Sequence, residues 1–484
     1  MCGFFFINDS KFIKNSKFED VHSRGLYSKE FHFNTVYALQ SLLPCVSGIE
    51  DFSVYETSDH LFLFSGEIYN YDRTYKTDTL YFLENLLKDD SFLKDINGMY
   101  AFLLFNKKTK RIKVGRDCHG QIPLFCCNKN GILIFSNTVK SIVLNSPTYL
   151  ESKSLSRWKS TRHYIFDNTP WNGIKLFPPG HVAEYDIEGN IISFKSMEVT
   201  RIDKYVSVIH DFDKNDYISQ LPMASIVSGG VDSSIITKLF DKEISHAVTI
   251  NHEGKDVISN RISEFQPYLK TKIESLNIDK ESWMHYTREF VNEVYLFPYS
   301  WSWIGYYIIG KHLKGKVNVL LTGEGADEIF GGYANYAMNT FTEYGVIKSG
   351  NNFSKKTKTE IKKLFKLNKL ITNKLLDQKM FIPTSSIGAN LALGCSTIES
   401  RNPFLDNKFS KNDYFLHFEK KENLINIFES FYGKHLLYPK QGFGGFPNEL
   451  YSSVFNEQPP ANLKNNDPWK VAAFHLLKRI NHNI

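Results

Sequence analysis

Ser228-Gly229-Gly230-Val231-Asp232-Ser233-Ser234 places two glycines, three hydroxyls and a carboxylate within seven residues. The apolar Ala224-Ser225-Ile226-Val227 before it reads as a short buried strand, and Ile235 to Phe240 after it as a helix, which sets the turn at a helix N-terminus. Backbone N–H groups and the helix dipole converge there on an anion. Gly229 and Gly230 let the backbone approach phosphate oxygens, Ser228, Ser233 and Ser234 add donors, and Asp232 can hold magnesium against them. No Gly-Lys-Ser/Thr follows, so this is not a Walker loop. The pattern suits the pyrophosphate of ATP and predicts AMP-forming chemistry; a plain Gly-Gly turn capped by Asp and Ser is the simpler alternative.

A second buried strand is expected at Val317-Asn318-Val319-Leu320-Leu321, running into Thr322-Gly323-Glu324-Gly325-Ala326-Asp327-Glu328. Ligands of open α/β sheets bind beyond the carboxyl ends of the strands, so both turns can meet one nucleotide. Gly323 and Glu324 would then line the ATP pocket, and Asp327 would share magnesium with Asp232. Glu324 is also placed to act as a base toward an incoming nucleophile. Read alone, the second run is equally a helix start with an acidic first turn.

Cys2 carries a third kind of chemistry. Removal of Met1 would leave its thiol beside its own α-amine, which titrates near neutrality and can serve as the base for amide attack. A small buried hydrophobe is the alternative for a cysteine at this position.

These runs, with Arg401-Asn402-Pro403-Phe404-Leu405-Asp406 and Pro439-Lys440-Gln441-Gly442-Phe443-Gly444, resemble the synthetase half of glutamine-dependent asparagine synthetases. Met1-Cys2-Gly3-Phe4-Phe5, Ser65-Gly66-Glu67-Ile68-Tyr69-Asn70, Asn97-Gly98-Met99-Tyr100-Ala101-Phe102, Gly115-Arg116-Asp117 and Pro178-Pro179-Gly180-His181 resemble the N-terminal-nucleophile glutaminase half of the same family. The resemblance implies an N-terminal α/β/β/α sandwich over residues 1–200. It implies a doubly wound parallel-sheet ATP-pyrophosphatase domain over 201–484, with polar residues 195–220 as connector. It assigns glutamine binding to Ser65, Gly66, Glu67 and Asp78, with Gly66 as oxyanion donor and Asp78 on the glutamine amine. Lys440 would stabilise the acyl-adenylate. Arg401 would bind acceptor carboxylate or phosphate, or else form a salt bridge to Glu399 or Asp406.

Three departures bear on substrates. Ser65 stands where the family has asparagine. The arginine that grips the glutamine carboxylate is missing, with Leu39 or Gln40 near its place. The stretch Ser385 to Gly394, where the family carries charged groups, is uncharged, which weakens the match to free aspartate. The expected reaction is adenylation of a carboxylate and its amidation with ammonia from glutamine, with aspartate as default acceptor. Another carboxylate, or an intramolecular amine in place of ammonia, is the runner-up, and a degenerate nucleotide-binding protein is a third reading.

The chain of 484 residues, with net charge +6, is long enough for two or three cores. The absence of a long Pro/Gly/Ser linker suggests packed domains, which suits an internal route for ammonia. Six cysteines without paired spacing suit a reducing cytoplasm. No apolar run reaches the ~18 residues of a membrane span. The lysine-rich segment 348–379 reads as a solvated helix face, so no nucleic-acid partner is expected. Expected partners are glutamine, ATP with Mg2+, and a carboxylate acceptor; a homodimer is one arrangement left open.

Overall fold

A computed structural model of the chain describes residues 2–46, 51–151, 169–197, 206–207, 211–252, 257–298, 300–333, 369–418 and 420–438. Up to residue 197 the described chain builds two antiparallel sheets. The first runs Tyr27–Phe33, Val36–Leu42, Gly3–Ile7, Ile132–Ser136, Phe125–Lys129 and Ile174–Leu176 in spatial order. The second runs Ile191–Ser196, His181–Tyr185, Arg111–Arg116, Gly98–Asn106 and His60–Ile68.

Alternation along the strands sorts their side chains into layers. In Gly3–Ile7, which pairs Gly3 with Ser41 and Phe5 with Ser136, Phe6 turns inward and meets Phe105 of the second sheet with ring centroids 6.0 Å apart. Phe5 and Ile7 turn outward into the cluster formed by Val139, Ile142 and Val143 of the helix Val139–Asn145. On the far side, Phe64 and Phe102 meet Phe82 of the helix Asp78–Lys88. The result is helix, sheet, sheet, helix.

The third sheet is parallel, in the order Ile273–Ile278, Ile244–His252, Met223–Ile226, Val319–Leu321, Glu399–Arg401. Counted along the chain, its strands lie third, second, first, fourth, fifth, so the winding reverses between Met223–Ile226 and Val319–Leu321. Short apolar strands buried on both faces are what a parallel sheet demands. Met223 and Leu321 share a cluster with Ile235 and Ile236 of the helix Val231–Leu239, whereas Ala224, Ile226 and Leu320 share one with Trp303, Tyr307 and Ile308 of the helix Trp301–Leu313. Trp303 and Tyr307 are therefore core residues. The helix Ile382–Gly394 packs against Trp301–Leu313, and a Cβ at Gly388 would overlap the Trp303 indole.

Candidate active site

Where the winding of an open sheet reverses, loops from adjacent strand ends splay apart and leave a crevice. Both phosphate-type loops leave the sheet at this point. After Met223–Ile226 the chain turns through Gly229, with φ of +70°, into the helix Val231–Leu239. The helix begins at Val231, four residues before Ile235, so Asp232, Ser233 and Ser234 form its first turn. Ser233 Oγ accepts from Ser228 N at 3.0 Å and lies 2.8 Å from Ser228 Oγ, which closes the loop. Gly230 caps the helix without a side chain. Gly323, after the neighbouring strand, sits where a Cβ would come within 2.9 Å of the Asp232 backbone.

The two acids converge. Lys421 Nζ lies 2.7 and 2.6 Å from the two oxygens of Asp232 and 2.9 Å from Asp327 Oδ1. The paired carboxylates push the Lys421 ammonium above its usual range, despite its burial. Sequence reasoning missed Lys421: it sits in a Lys-Lys-Glu run just before the helix Glu422–Tyr432, and such runs usually mark solvated faces. The donor set nevertheless fits a hard divalent cation, because carboxylate oxygens from two loops already surround one positive charge at close range.

Glu324 stands three residues before Asp327 on the second loop. Its Oε1 accepts from Tyr306 Oη at 2.9 Å and from Ser385 Oγ at 2.8 Å. Its Oε2 is buried and has no hydrogen-bonding partner among the described residues. Burial raises its carboxyl above the usual range, while the two hydroxyls pull it back. Ser385 opens the uncharged stretch of the helix Ile382–Gly394, so that helix reaches the reacting region through a hydroxyl. Lys440 lies outside the described residues.

Cys2 is 5% exposed and faces a cleft lined also by Leu43, Tyr55, Gly66, Glu67, Thr77 and Asp78. Leu43 N donates toward its Sγ at 3.4 Å, and burial pushes the thiol up to about 12. Gly66 has a φ of +133°, which L side chains rarely adopt, and a Cβ there would overlap the Met99 carbonyl. Asp78 accepts from Ile68 N at 2.9 Å and Thr79 N at 2.7 Å. Ser65 donates its hydroxyl to the Cys2 carbonyl at 2.6 Å. Gln40, near the place of the missing arginine, is spent on backbone: its amide donates to Ser41 O and Phe64 O at 2.9 Å each. Among the described residues, the charged side chains lining the cleft are Asp51, Glu67 and Asp78, all acids.

Arg401 takes the second of its two expected roles. Its guanidinium is buried, with Nε 2.8 Å from Glu399 Oε1, Nη2 3.3 Å from Glu67 Oε1, and Nη1 donating to Tyr217 O. Glu67 therefore faces Arg401 as well as the Cys2 cleft. Neighbours of Arg401 also point across to the N-terminal half: Asn402 donates to Gln121, Asn97 donates to Asp406, and His119 meets Ser410. The Arg401–Asp406 run is thus an interdomain seam.

Comparison with known proteins gives two family-model matches in separate stretches of the chain. Residues 214–412 match the family model "Asparagine synthase", and residues 47–195 match "Glutamine amidotransferase domain". The chain is 27% identical over 343 residues to asparagine synthetase [glutamine-hydrolyzing] 1 of Bacillus subtilis, covering 64% of this chain and 53% of that protein. It is 25% identical over 332 residues to putative asparagine synthetase [glutamine-hydrolyzing] 2 of Methanocaldococcus jannaschii, covering 58% and 60%. With asparagine synthetase B [glutamine-hydrolyzing] of Escherichia coli it shares 24% over 392 residues, covering 72% and 61%. The chain spans 53–61% of the length of these curated relatives. Two domain matches in the family's order, together with relatives that align across much of the chain, place it: the chain belongs to the glutamine-dependent asparagine synthetase family.

Proposed function

We propose that this protein is a glutamine-dependent, AMP-forming amidotransferase. The observation that carries the reading is the convergence of Asp232 and Asp327 on one cation position, beside a helix N-terminus at the point where the sheet reverses its winding. ATP would lie with its phosphates on the Ser228–Ser234 loop and its magnesium between the two acids, where Lys421 now sits. Magnesium there would neutralise charge on the departing pyrophosphate. An acceptor carboxylate oxygen attacks the α-phosphorus, and pyrophosphate leaves. Ammonia then attacks the acyl carbon, AMP departs, and Glu324, whose buried Oε2 has no donor among the described residues, takes the proton. Lys440 would steady the adenylate.

Ammonia would come from Cys2. A thiol held near 12 is neutral at working pH, so the attack needs a base, and the α-amine freed by loss of Met1 supplies it. Gly66 N–H would receive the oxyanion and Asp78 the glutamine ammonium.

Aspartate is the default acceptor. The helix Ile382–Gly394 favours a second reading, because it offers Ser385 and Ser386 but no charged side chain, whereas free aspartate brings two carboxylates and an ammonium. Pyrophosphate exchange into ATP, scanned over carboxylic acids, separates the readings. Exchange with aspartate supports asparagine formation, exchange with another acid supports the second reading, and exchange with none overturns ligase activity. Cys2→Ala should abolish glutamine hydrolysis and leave ammonia-supported AMP formation intact; unchanged hydrolysis would remove Cys2 from the reaction.

A further inference from the structure

We infer that Arg24 and Asn390 form a buried strut that positions the Cys2 nucleophile according to the state of the synthetase helix Ile382–Gly394, coupling glutamine hydrolysis to the acceptor side. This rests on the amidotransferase reading above. Arg24 is 1% exposed. Its Nε donates to the Cys2 carbonyl at 3.2 Å, and its Nη2 donates to Asn390 Oδ1 at 2.5 Å. The Cys2 carbonyl also accepts from Ser65. The peptide of the nucleophile is therefore held from two directions: by a strand of its own half, and by a guanidinium whose far end rests on the other half.

Both halves are shaped to admit this side chain. A Cβ at Gly3 would come within 2.7 Å of Arg24 Cδ, and one at Gly394 within 2.6 Å of Nη1. The same loop has a second foot, since Thr397 Oγ1 donates to Ser23 O at 2.7 Å. Asn390 contributes no charge of its own. The guanidinium, pulled down to about 10 by burial, still makes a charge-assisted bond to the Cys2 carbonyl.

The acceptor-side end of the strut is one helix. Ser385, five residues before Asn390, holds Glu324 Oε1, and at 1.5 Å per residue the two positions are about 7.5 Å apart along the axis. A nucleophile or acyl-adenylate that draws Glu324 to itself shifts Ser385, and a rigid helix passes that shift to Asn390 and so to the guanidinium. Arg24 and Asn390 are positioning residues; neither touches the reacting atoms.

The test compares wild type, Asn390→Leu and Asn390→Asp in the full chain. Glutamate and AMP are measured with glutamine alone, then with ATP, Mg2+ and L-aspartate, or with whichever acid supports exchange. In wild type, the complete mixture should stimulate glutamate release and yield roughly one glutamate per AMP. Asn390→Leu should lose that stimulation, by about tenfold, within the range usual for coupled sites, while ammonia-supported AMP formation stays within about twofold. Asn390→Asp, which still accepts from Nη2, should restore it. A folded Asn390→Leu protein with wild-type stimulation and stoichiometry would overturn the inference. If that variant does not fold, Arg24→Lys, whose single ammonium cannot span both acceptors in the same geometry, decides by the same ratio. Wild type that makes neither glutamate nor AMP would instead sink the functional reading.

Discussion

Asp78, proposed above to meet the glutamine ammonium, has its titration moved by the cleft that surrounds it. Burial raises its carboxyl to about 6, against backbone donors that favour the anion. For folding, a raised carboxyl stabilises the protein below the usual carboxylate range, and that contribution disappears as pH rises through about 6. Binding runs the other way, because an ammonium requires the anion. The KM for glutamine should therefore fall as pH rises from about 5 to 7, the interval spanning this titration. Asp78→Asn should remove the step and raise KM about tenfold or more, the loss expected for a charge-assisted contact; steady-state hydrolysis across pH checks both. Lys421 supports a second residue-scale prediction. Its ammonium competes with any divalent ion for Asp232 and Asp327. Lys421→Met should let Mg2+ alone raise the unfolding midpoint at concentrations that leave wild type unmoved. Equal midpoint shifts in the two proteins would mean that the ammonium does not hold the cation position.

At the scale of elements, the helix Ile382–Gly394 is buried along nearly its whole length and fits its neighbour through a missing side chain. Gly388→Ala would drive a methyl into the Trp303 indole, and overpacking of this kind costs about 1–3 kcal/mol. Urea denaturation should show that loss. Acceptor turnover should fall more than ATP binding, since Ser385 rides on the displaced helix while the Ser228–Ser234 loop does not. The elements themselves were largely legible. Apolar runs bounded by glycine-rich turns mark Met223–Ile226 and Val319–Leu321. The start of the helix Val231–Leu239 was not legible, because its first turn is built from Asp232, Ser233 and Ser234, types that weaken a helical pattern and equally suit a turn. The uncharged helix was visible as a composition, but its contact with Glu324 depends on a fold that brings residue 385 to residue 324.

For the whole molecule, the illegible residues share one property: their partners lie far away in sequence. Arg24 meets Asn390, Asn97 meets Asp406, and Lys421 meets Asp232. Local patterning carries no trace of such pairs, whereas the glycine-rich loops announce themselves because their chemistry is contiguous. Arg401 shows both cases, since its salt bridge to Glu399, two residues away, is one of the two roles expected for it, whereas its contact with the distant Glu67 is not. Two buried acids share this one guanidinium, and removing it would leave both without their cation. Breaking a buried ion pair from one side costs about 3–5 kcal/mol, so Arg401→Ala should lose stability of that order. The loss should shrink at low pH. Burial and Glu399 already hold the Glu67 carboxyl well above its usual range, and Arg401 opposes them; without Arg401 the carboxyl takes up its proton more readily and the buried charge disappears. Denaturation of both proteins across a series of pH values should therefore show a difference that narrows as pH falls. A difference that stays constant, or grows as pH falls, would mean that the seam is held by packing and hydrogen bonds rather than by the balance of its charges.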